Sequence, residues 1–102
     1  MKILVVPPEG LPYASSATTP EDMQRIVGGR IEVRYPFHSR LIALVCNMEG
    51  KLRGLPLNRQ TGGRWIRGTF FLIGAGKRGF VSLTDHQLDE FSVYYTLVDP
   101  PE

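Results

Sequence analysis

The sequence predicts an α+β domain: a mainly antiparallel sheet of about five strands with two helices packed on it. Residues 41–46 form an unbroken apolar run, which is typical of a strand buried on both faces. Residues 30–37 alternate between apolar and mainly charged side chains, as in a half-buried strand, and Pro36 favours an edge position or a strand end. Thr19 and Thr84 each open a segment with strong helix-start signals. The predicted order is β-α-β-β-β-β-α, with the helices on one face of the sheet.

The N-terminal third is predicted to supply one central strand and one short helix. Residues 3–6 are wholly apolar and predict the strand, whereas residues 7–18 contain three prolines and predict a long connection. Thr19 suits the N-cap of the helix and Pro20 suits its first position. Gly28 is expected to end the helix after about two turns.

The second helix is predicted from the capping-box spacing of Thr84 and Gln87. Its apolar stripe consists of Leu88, Phe91 and Tyr95. Residues 93–98 also favour a strand, so the pattern leaves the end of this helix open, and residues 99–102 indicate a polar tail.

The central apolar run is followed by a predicted hairpin. Asn47 and Gly50 suit the first and fourth positions of a type I turn, and Leu52 is expected to begin a return strand. Asn58 and Arg59 would then leave the sheet together. They are either a polar exit from the hairpin or part of a binding site.

A last long strand is expected over residues 65–73, after a loop over residues 60–64. Residues 74–79 then match the pattern G-x-G-x-x-G. A dinucleotide-binding fold needs a helix to open directly after that pattern, and residues 80–82 intervene here. Two interpretations stay open: a flexible glycine turn, or a loop whose amides and cations bind an anion.

Length and composition predict a single domain over residues 1–102 with an ordinary globular balance of apolar and charged residues. Cys46 is the one cysteine and lies in the apolar run, so we expect it to be buried and unreactive. No apolar stretch approaches the roughly 20 residues that span a bilayer. Residues 1–6 are too short for a signal peptide, so the expected location is the cytoplasm, without membrane contact.

Several segments together resemble a family of short phage, plasmid and conjugative-element proteins that is classed as a domain of unknown function. The segments are Val45-Cys46-Asn47, Gly50-Lys51-Leu52, Gly54-Leu55-Pro56-Leu57-Asn58-Arg59 and Gly68-Thr69-Phe70-Phe71. Residues 1–6 and 26–32 also resemble it. The resemblance implies a mobile-element setting and brings no activity. The link between Arg59 and Gly68 is shorter and more basic than is usual in that family.

The charges are segregated along the chain. Between Gly50 and Thr84 lie seven of the 12 basic residues, whereas all ten acidic residues lie elsewhere. The seven are Lys51, Arg53, Arg59, Arg64, Arg67, Lys77 and Arg78. This bias indicates either a solvated face or a surface for an anion, and the five arginines suit phosphate or carboxylate.

The candidate anion site combines the exit of the hairpin with the glycine-rich turn. If the two strands are neighbours, Arg59 would approach Lys77 and Arg78, with Asn58 beside it. The candidate ligand-binding residues are Asn58, Arg59, Arg64, Arg67, Gly76, Lys77 and Arg78. The competing interpretation is that these are separate, solvated turns.

The leading functional hypothesis is a non-enzymatic accessory protein of a mobile element that acts by binding. Anti-defence action fits the implied setting, either by inhibiting a host immune protein or by sequestering a nucleotide signal. The alternatives are a small nucleic-acid-binding regulator and a hydrolase or transferase with an unrecognised site. The sequence suggests no catalytic residues, metal ligands or cofactor. An anionic ligand, a nucleotide, nucleic acid or a host protein are the candidate partners, and the oligomeric state, including a homo-oligomer, stays open.

Overall fold

The computed structural model describes residues 1–98, and the predicted polar tail at 99–102 lies outside this range. Its elements are β1 (Lys2–Val6), β2 (Tyr13–Ser16), α1 (Pro20–Val27), β3 (Ile31–Arg34), β4 (Ile42–Asn47), β5 (Leu57–Thr61), β6 (Arg64–Arg67), β7 (Phe70–Gly76), β8 (Gly79–Val81) and α2 (Asp85–Leu97). The predicted α+β class with a mainly antiparallel sheet and two helices is confirmed.

The main sheet has six strands. Five run in the order β2-β1-β7-β4-β3, and β8 pairs with the end of β7. Every pairing is antiparallel. Strands β5 and β6 form a separate two-stranded ribbon. As predicted, β1 is internal to the sheet and β3 lies at an edge.

The prediction that both helices share one face of the sheet is wrong. Helix α1 buries Met23 and Val27 against one face, and α2 buries Tyr95 against the other. The ribbon lies on the α2 face, where it contributes Ile66 to the core. Strands β1, β4 and β7 are apolar on both faces, so both faces need a cover.

The helix starts form as the sequence predicts. Thr19 caps α1 and Thr84 caps α2, each within a complete capping box, and Gly28 ends α1 in the left-handed conformation. Hydrogen bonds from the backbone amides of residues 18 and 19 lower the pKa of Asp22 to about 2. Helix α2 continues to Leu97, so the end of this segment, whose residues also favour a strand, is helical.

The predicted hairpin after the central apolar run is also wrong. Both edges of β4 are already paired, with β3 and β7, so no return strand fits beside it. Residues 48–55 instead form consecutive tight turns, in which the Arg53 amide donates to the Glu49 carbonyl and the Leu55 amide to the Gly50 carbonyl.

Other boundaries also differ from the prediction. Residues 60, 61 and 64, which were expected in a loop, belong to β5 and β6, and the strand expected over residues 30–37 is limited to Ile31–Arg34. The expected strand over residues 65–73 is two strands, because Gly68 has a φ of 79° and turns the chain from the ribbon into the main sheet. The expected connection over residues 7–18 contains β2, a fully exposed edge strand whose sequence lacks apolar alternation. Within the described part of the chain, no helix has the length and apolar character needed to cross a membrane.

Candidate functional site

Arg59 is a buried structural residue at the end of α2. Its side chain is 2% exposed, and its guanidinium donates to the carbonyls of Tyr95 (3.2 Å), Pro7 (2.7 Å) and Gly10 (3.2 Å), among other bonds. Nε donates to the Val98 carbonyl at 3.2 Å. A charged, five-donor group is therefore used to satisfy the last carbonyls of a helix and those of the β1–β2 loop.

Asn58 is equally buried and ties the ribbon to the main sheet. Its Nδ2 donates to the carbonyls of Val6 (2.9 Å) and Gly68 (2.8 Å), and its Oδ1 accepts from Arg59 at 3.0 Å. The sequence prediction placed both side chains at a polar exit because it paired β4 with a return strand that begins at Leu52 and ends before Asn58.

The predicted approach of Arg59 to Lys77 and Arg78 does not occur. Asn58 and Arg59 bind carbonyls beside the start of β7, whereas Lys77 and Arg78 follow its end. Strand β7 has seven residues, and a rise of about 3.3 Å per residue separates its two ends by about 20 Å. The candidate residues therefore fall into separate parts of the molecule.

The glycine-rich segment is a tight hairpin turn. Gly76 pairs with Gly79, so Lys77 and Arg78 occupy the two loop positions and are exposed. A Cβ on Gly74 would lie 2.9 Å from the backbone oxygens of residues 81 and 82, which explains that glycine by close strand packing.

Arg64 and Arg67, the remaining two candidates, line a groove between the ribbon and the β3–β4 edge of the main sheet. The groove encloses about 600 Å³, which lies in the range of small-molecule sites. Its charged side chains are Glu32, Arg34, Lys51, Arg64 and Arg67. We call this space the cationic groove, since four basic side chains face one carboxylate.

Two arginines line the cationic groove from different strands, the partly buried Arg34 on β3 and the exposed Arg64 on β6. Arg34 on β3 forms an ion pair with Glu32, and its Nη1 is buried without a hydrogen-bond partner among the described residues. Arg64 lies on the same face of β6 as the buried Ile66 but is itself exposed at the start of the strand. Arg34 and Arg64 both favour the Cys46 thiolate electrostatically, against the larger effect of its burial.

The mouth of the cationic groove combines an indole with further cations. Trp65 and Arg67 take the outward face of β6, and Trp65 is 46% exposed. Arg67 donates to the Leu55 carbonyl at 3.3 Å. Lys51 approaches from the turns after β4 and is exposed.

Sequence reasoning included Arg64 and Arg67 among the candidates but missed Arg34 and Lys51. The signal for Arg34 was present, because the alternation over residues 30–37 puts Glu32 and Arg34 together on one face of an edge strand. Glu32 and Arg34 face a groove only because the β5–β6 ribbon packs beside them, and no local sequence pattern predicts that packing.

The comparisons with known proteins identify the family of this chain and do not indicate a ligand. A family model described as a domain of unknown function, DUF3846, matches residues 1–96. The chain belongs to the DUF3846 family. No curated protein and no solved structure gives a significant match. Membership in DUF3846 confirms the resemblance to a domain of unknown function and assigns no chemistry to the cationic groove.

Cys46 lines the cationic groove but is only 2% exposed. Burial raises the pKa of its thiol above the ordinary value of 9.0, because the thiolate would lose solvation. The buried thiol therefore costs the folded state no stability below pH 9.0. As the pH rises above 9.0 the folded state loses stability, because the thiol ionises more easily in the unfolded chain. Within residues 1–98, no three His, Cys, Asp or Glu side chains are grouped to hold a metal ion.

We expect a thiol reagent to label native Cys46 slowly at pH 8 and quickly after denaturation in urea. Cys46→Ser should lower the free energy of unfolding by about 1–3 kcal/mol, because a hydroxyl would be buried without an assured partner. The absorbance of a chromogenic thiol reagent measures the labelling rate, and urea denaturation measures the free energy of unfolding. Rapid, complete labelling of the folded protein would contradict the burial of this thiol.

Proposed function

We propose that this DUF3846 protein acts by non-covalent binding of an anionic ligand in the cationic groove. The observation that carries the proposal is the lining of the groove, where Arg34, Lys51, Arg64 and Arg67 outnumber the single carboxylate of Glu32. Arginine offers paired donors that match a phosphate or carboxylate group. Phosphate and carboxylate ligands are the chemistry that this lining fits best.

The biological role that we propose for this binding is anti-defence action of a phage- or plasmid-borne protein. The mobile-element setting that the sequence resemblance implies supports this role. Within it, a groove of small-molecule size favours sequestering a nucleotide signal over inhibiting a host immune protein, which would need a broad contact surface. We propose a binding role rather than an enzymatic one because the thiol among the groove residues, Cys46, is 2% exposed and its burial disfavours the thiolate that a nucleophile needs.

Thermal-shift measurements with inorganic diphosphate, nucleoside diphosphates and cyclic dinucleotides test the proposal. A ligand at 100 times its Kd adds about 2.7 kcal/mol to stability, which corresponds to a rise in Tm of about 10 °C or more for a domain of this size. A rise with at least one of these anions is expected.

Two charge-matched double variants locate the binding. Lys51→Ala/Arg64→Ala removes one lysine and one arginine from the cationic groove, and Lys77→Ala/Arg78→Ala removes the same charges from the remote β7–β8 turn. The first should abolish the thermal shift and the second should leave it intact. If the groove variant retains the full shift while the turn variant loses it, the ligand binds at the glycine turn and the proposal fails.

A nucleic-acid-binding regulator is the second candidate function. The exposed indole of Trp65 among cations favours it, since single strands bind by stacking bases beside cations. A strand that displaces several counterions would bind with an affinity that falls steeply with salt, whereas a small ligand would show a shallow dependence.

A further inference from the structure

The cationic groove is lined by two chemically different kinds of group. Arg34 and Arg64 contribute guanidinium groups, and Trp65 contributes a half-exposed indole. Cations alone would accept any small anion. An exposed indole beside them adds a flat apolar face, which an inorganic anion or a simple carboxylate leaves unused.

The arginines of the groove suit one compact, multiply charged group. Glu32 holds Arg34 through Nε, which leaves the outer edge of that guanidinium for another acceptor. Nη1 of Arg34 is buried and has no hydrogen-bond partner within residues 1–98. Buried donors are rarely left unsatisfied, so an acceptor from a ligand suits this position. A phosphate supplies several acceptors at once and can bridge Arg34 to Arg64.

The mouth is built for a planar ring. Trp65 and Arg67 lie on the same face of β6, and Arg67 donates a hydrogen bond to the Leu55 carbonyl. Met48 is half exposed and lines the same groove. A thioether adapts to irregular apolar surfaces and contacts aromatic rings favourably. An indole and a methionine that line the same groove therefore suit the faces or the edge of a nucleobase.

We propose that the ligand of the cationic groove is a single nucleotide unit, with its phosphate between Arg34 and Arg64 and its base on Trp65. This inference rests on the proposed function and specifies its ligand class. The volume of about 600 Å³ matches a small ligand and not a duplex. The unit can be a free nucleotide or the phosphorylated end of a strand, and both present the same chemistry.

The single tryptophan of the chain is a built-in reporter for the base. Titration of native protein with adenosine and uridine diphosphates should quench Trp65 fluorescence. Their affinity should exceed that of inorganic diphosphate by about 10-fold or more, the effect of stacking one base. Inorganic diphosphate should compete for the same site with little change in fluorescence.

Variants separate the base contact from the phosphate contact. Trp65→Ala should reduce the affinity for the nucleotides to that for inorganic diphosphate, measured by calorimetry, and leave diphosphate binding unchanged. Trp65→Phe should restore part of the difference, because a smaller ring still stacks. Arg64→Ala should weaken both ligands by about 10-fold or more.

The outcomes distinguish this inference from the function on which it rests. If inorganic diphosphate and the nucleotides bind equally, or if Trp65→Ala leaves nucleotide affinity unchanged, the nucleotide inference is overturned and anion binding stands. If neither binds, both fail. A 5′-phosphorylated decanucleotide is titrated in a separate experiment at several salt concentrations. Binding with a shallow salt dependence supports recognition of its terminal nucleotide, and binding of the strand alone, with a steep dependence, overturns the inference.

Discussion

Arg59→Ala is expected to lower the free energy of unfolding by about 3–5 kcal/mol, a large share of the stability of a domain of this size. The substitution removes the donors for the carbonyls of Tyr95, Pro7 and Gly10 in a site where Arg59 is 2% exposed. Each buried acceptor left without a partner costs about 1–3 kcal/mol. Urea denaturation followed by circular dichroism measures the loss.

Two control variants define the cause of this loss. Arg64→Ala removes the same side chain from an exposed position of the same ribbon, and its effect should stay within about 0.5 kcal/mol. Arg59→Lys keeps the charge but not the five-donor fork, so an intermediate loss is expected. If Arg59→Ala and Arg64→Ala proved equally stable, the role of Arg59 in joining the ribbon, the β1–β2 loop and α2 would be refuted.

Ile66→Ala is expected to cost about 2–5 kcal/mol and to weaken anion binding as well. Ile66 is the ribbon residue that enters the core of the α2 face, at 2% exposure, and it lies between the groove residues Trp65 and Arg67. Loss of its packing should loosen the wall that holds the cationic side chains. Denaturation and diphosphate titration, both performed well below the Tm of the variant, measure the two effects.

Ile66→Val serves as the graded control for this prediction. Removing one methylene from a buried isoleucine costs about 0.5–1.5 kcal/mol, and the affinity for diphosphate should stay close to that of the unchanged protein. Equal stability of the valine and alanine variants would mean that Ile66 does not anchor the ribbon.

The sequence predicts the local elements of this fold well where one physical signal dominates. The N-cap at Thr19, the capping box at Thr84 and the alternation at β3 all act within a few residues. The error in the hairpin has a tertiary cause, because β4 takes β3 and β7 as its neighbours and leaves no edge for the segment after Gly50. The apolar run of β4 also argues against the prediction that both helices lie on one face of the sheet, since a strand that is apolar on both faces needs a cover on each.

The candidate site was predictable only in part, because it too depends on contacts between residues that are far apart in the sequence. The seven basic residues without an acidic one include Arg64 and Arg67, which line the cationic groove. The same charge count cannot tell them from Arg59, whose charge is used to bind buried carbonyls. Burial of an arginine depends on long-range acceptors, and these are invisible in the neighbouring sequence.

Amide chemical shifts test the location of the anion site most directly. In a ¹H–¹⁵N correlation spectrum of the labelled protein, added inorganic diphosphate should shift amides of β3, of residues 48–51 and of residues 64–67, which surround the cationic groove. The amides of residues 77–79 at the far end of β7 should stay in place. Saturable shifts confined to residues 77–79, or no shifts at millimolar diphosphate, would contradict anion binding in the cationic groove.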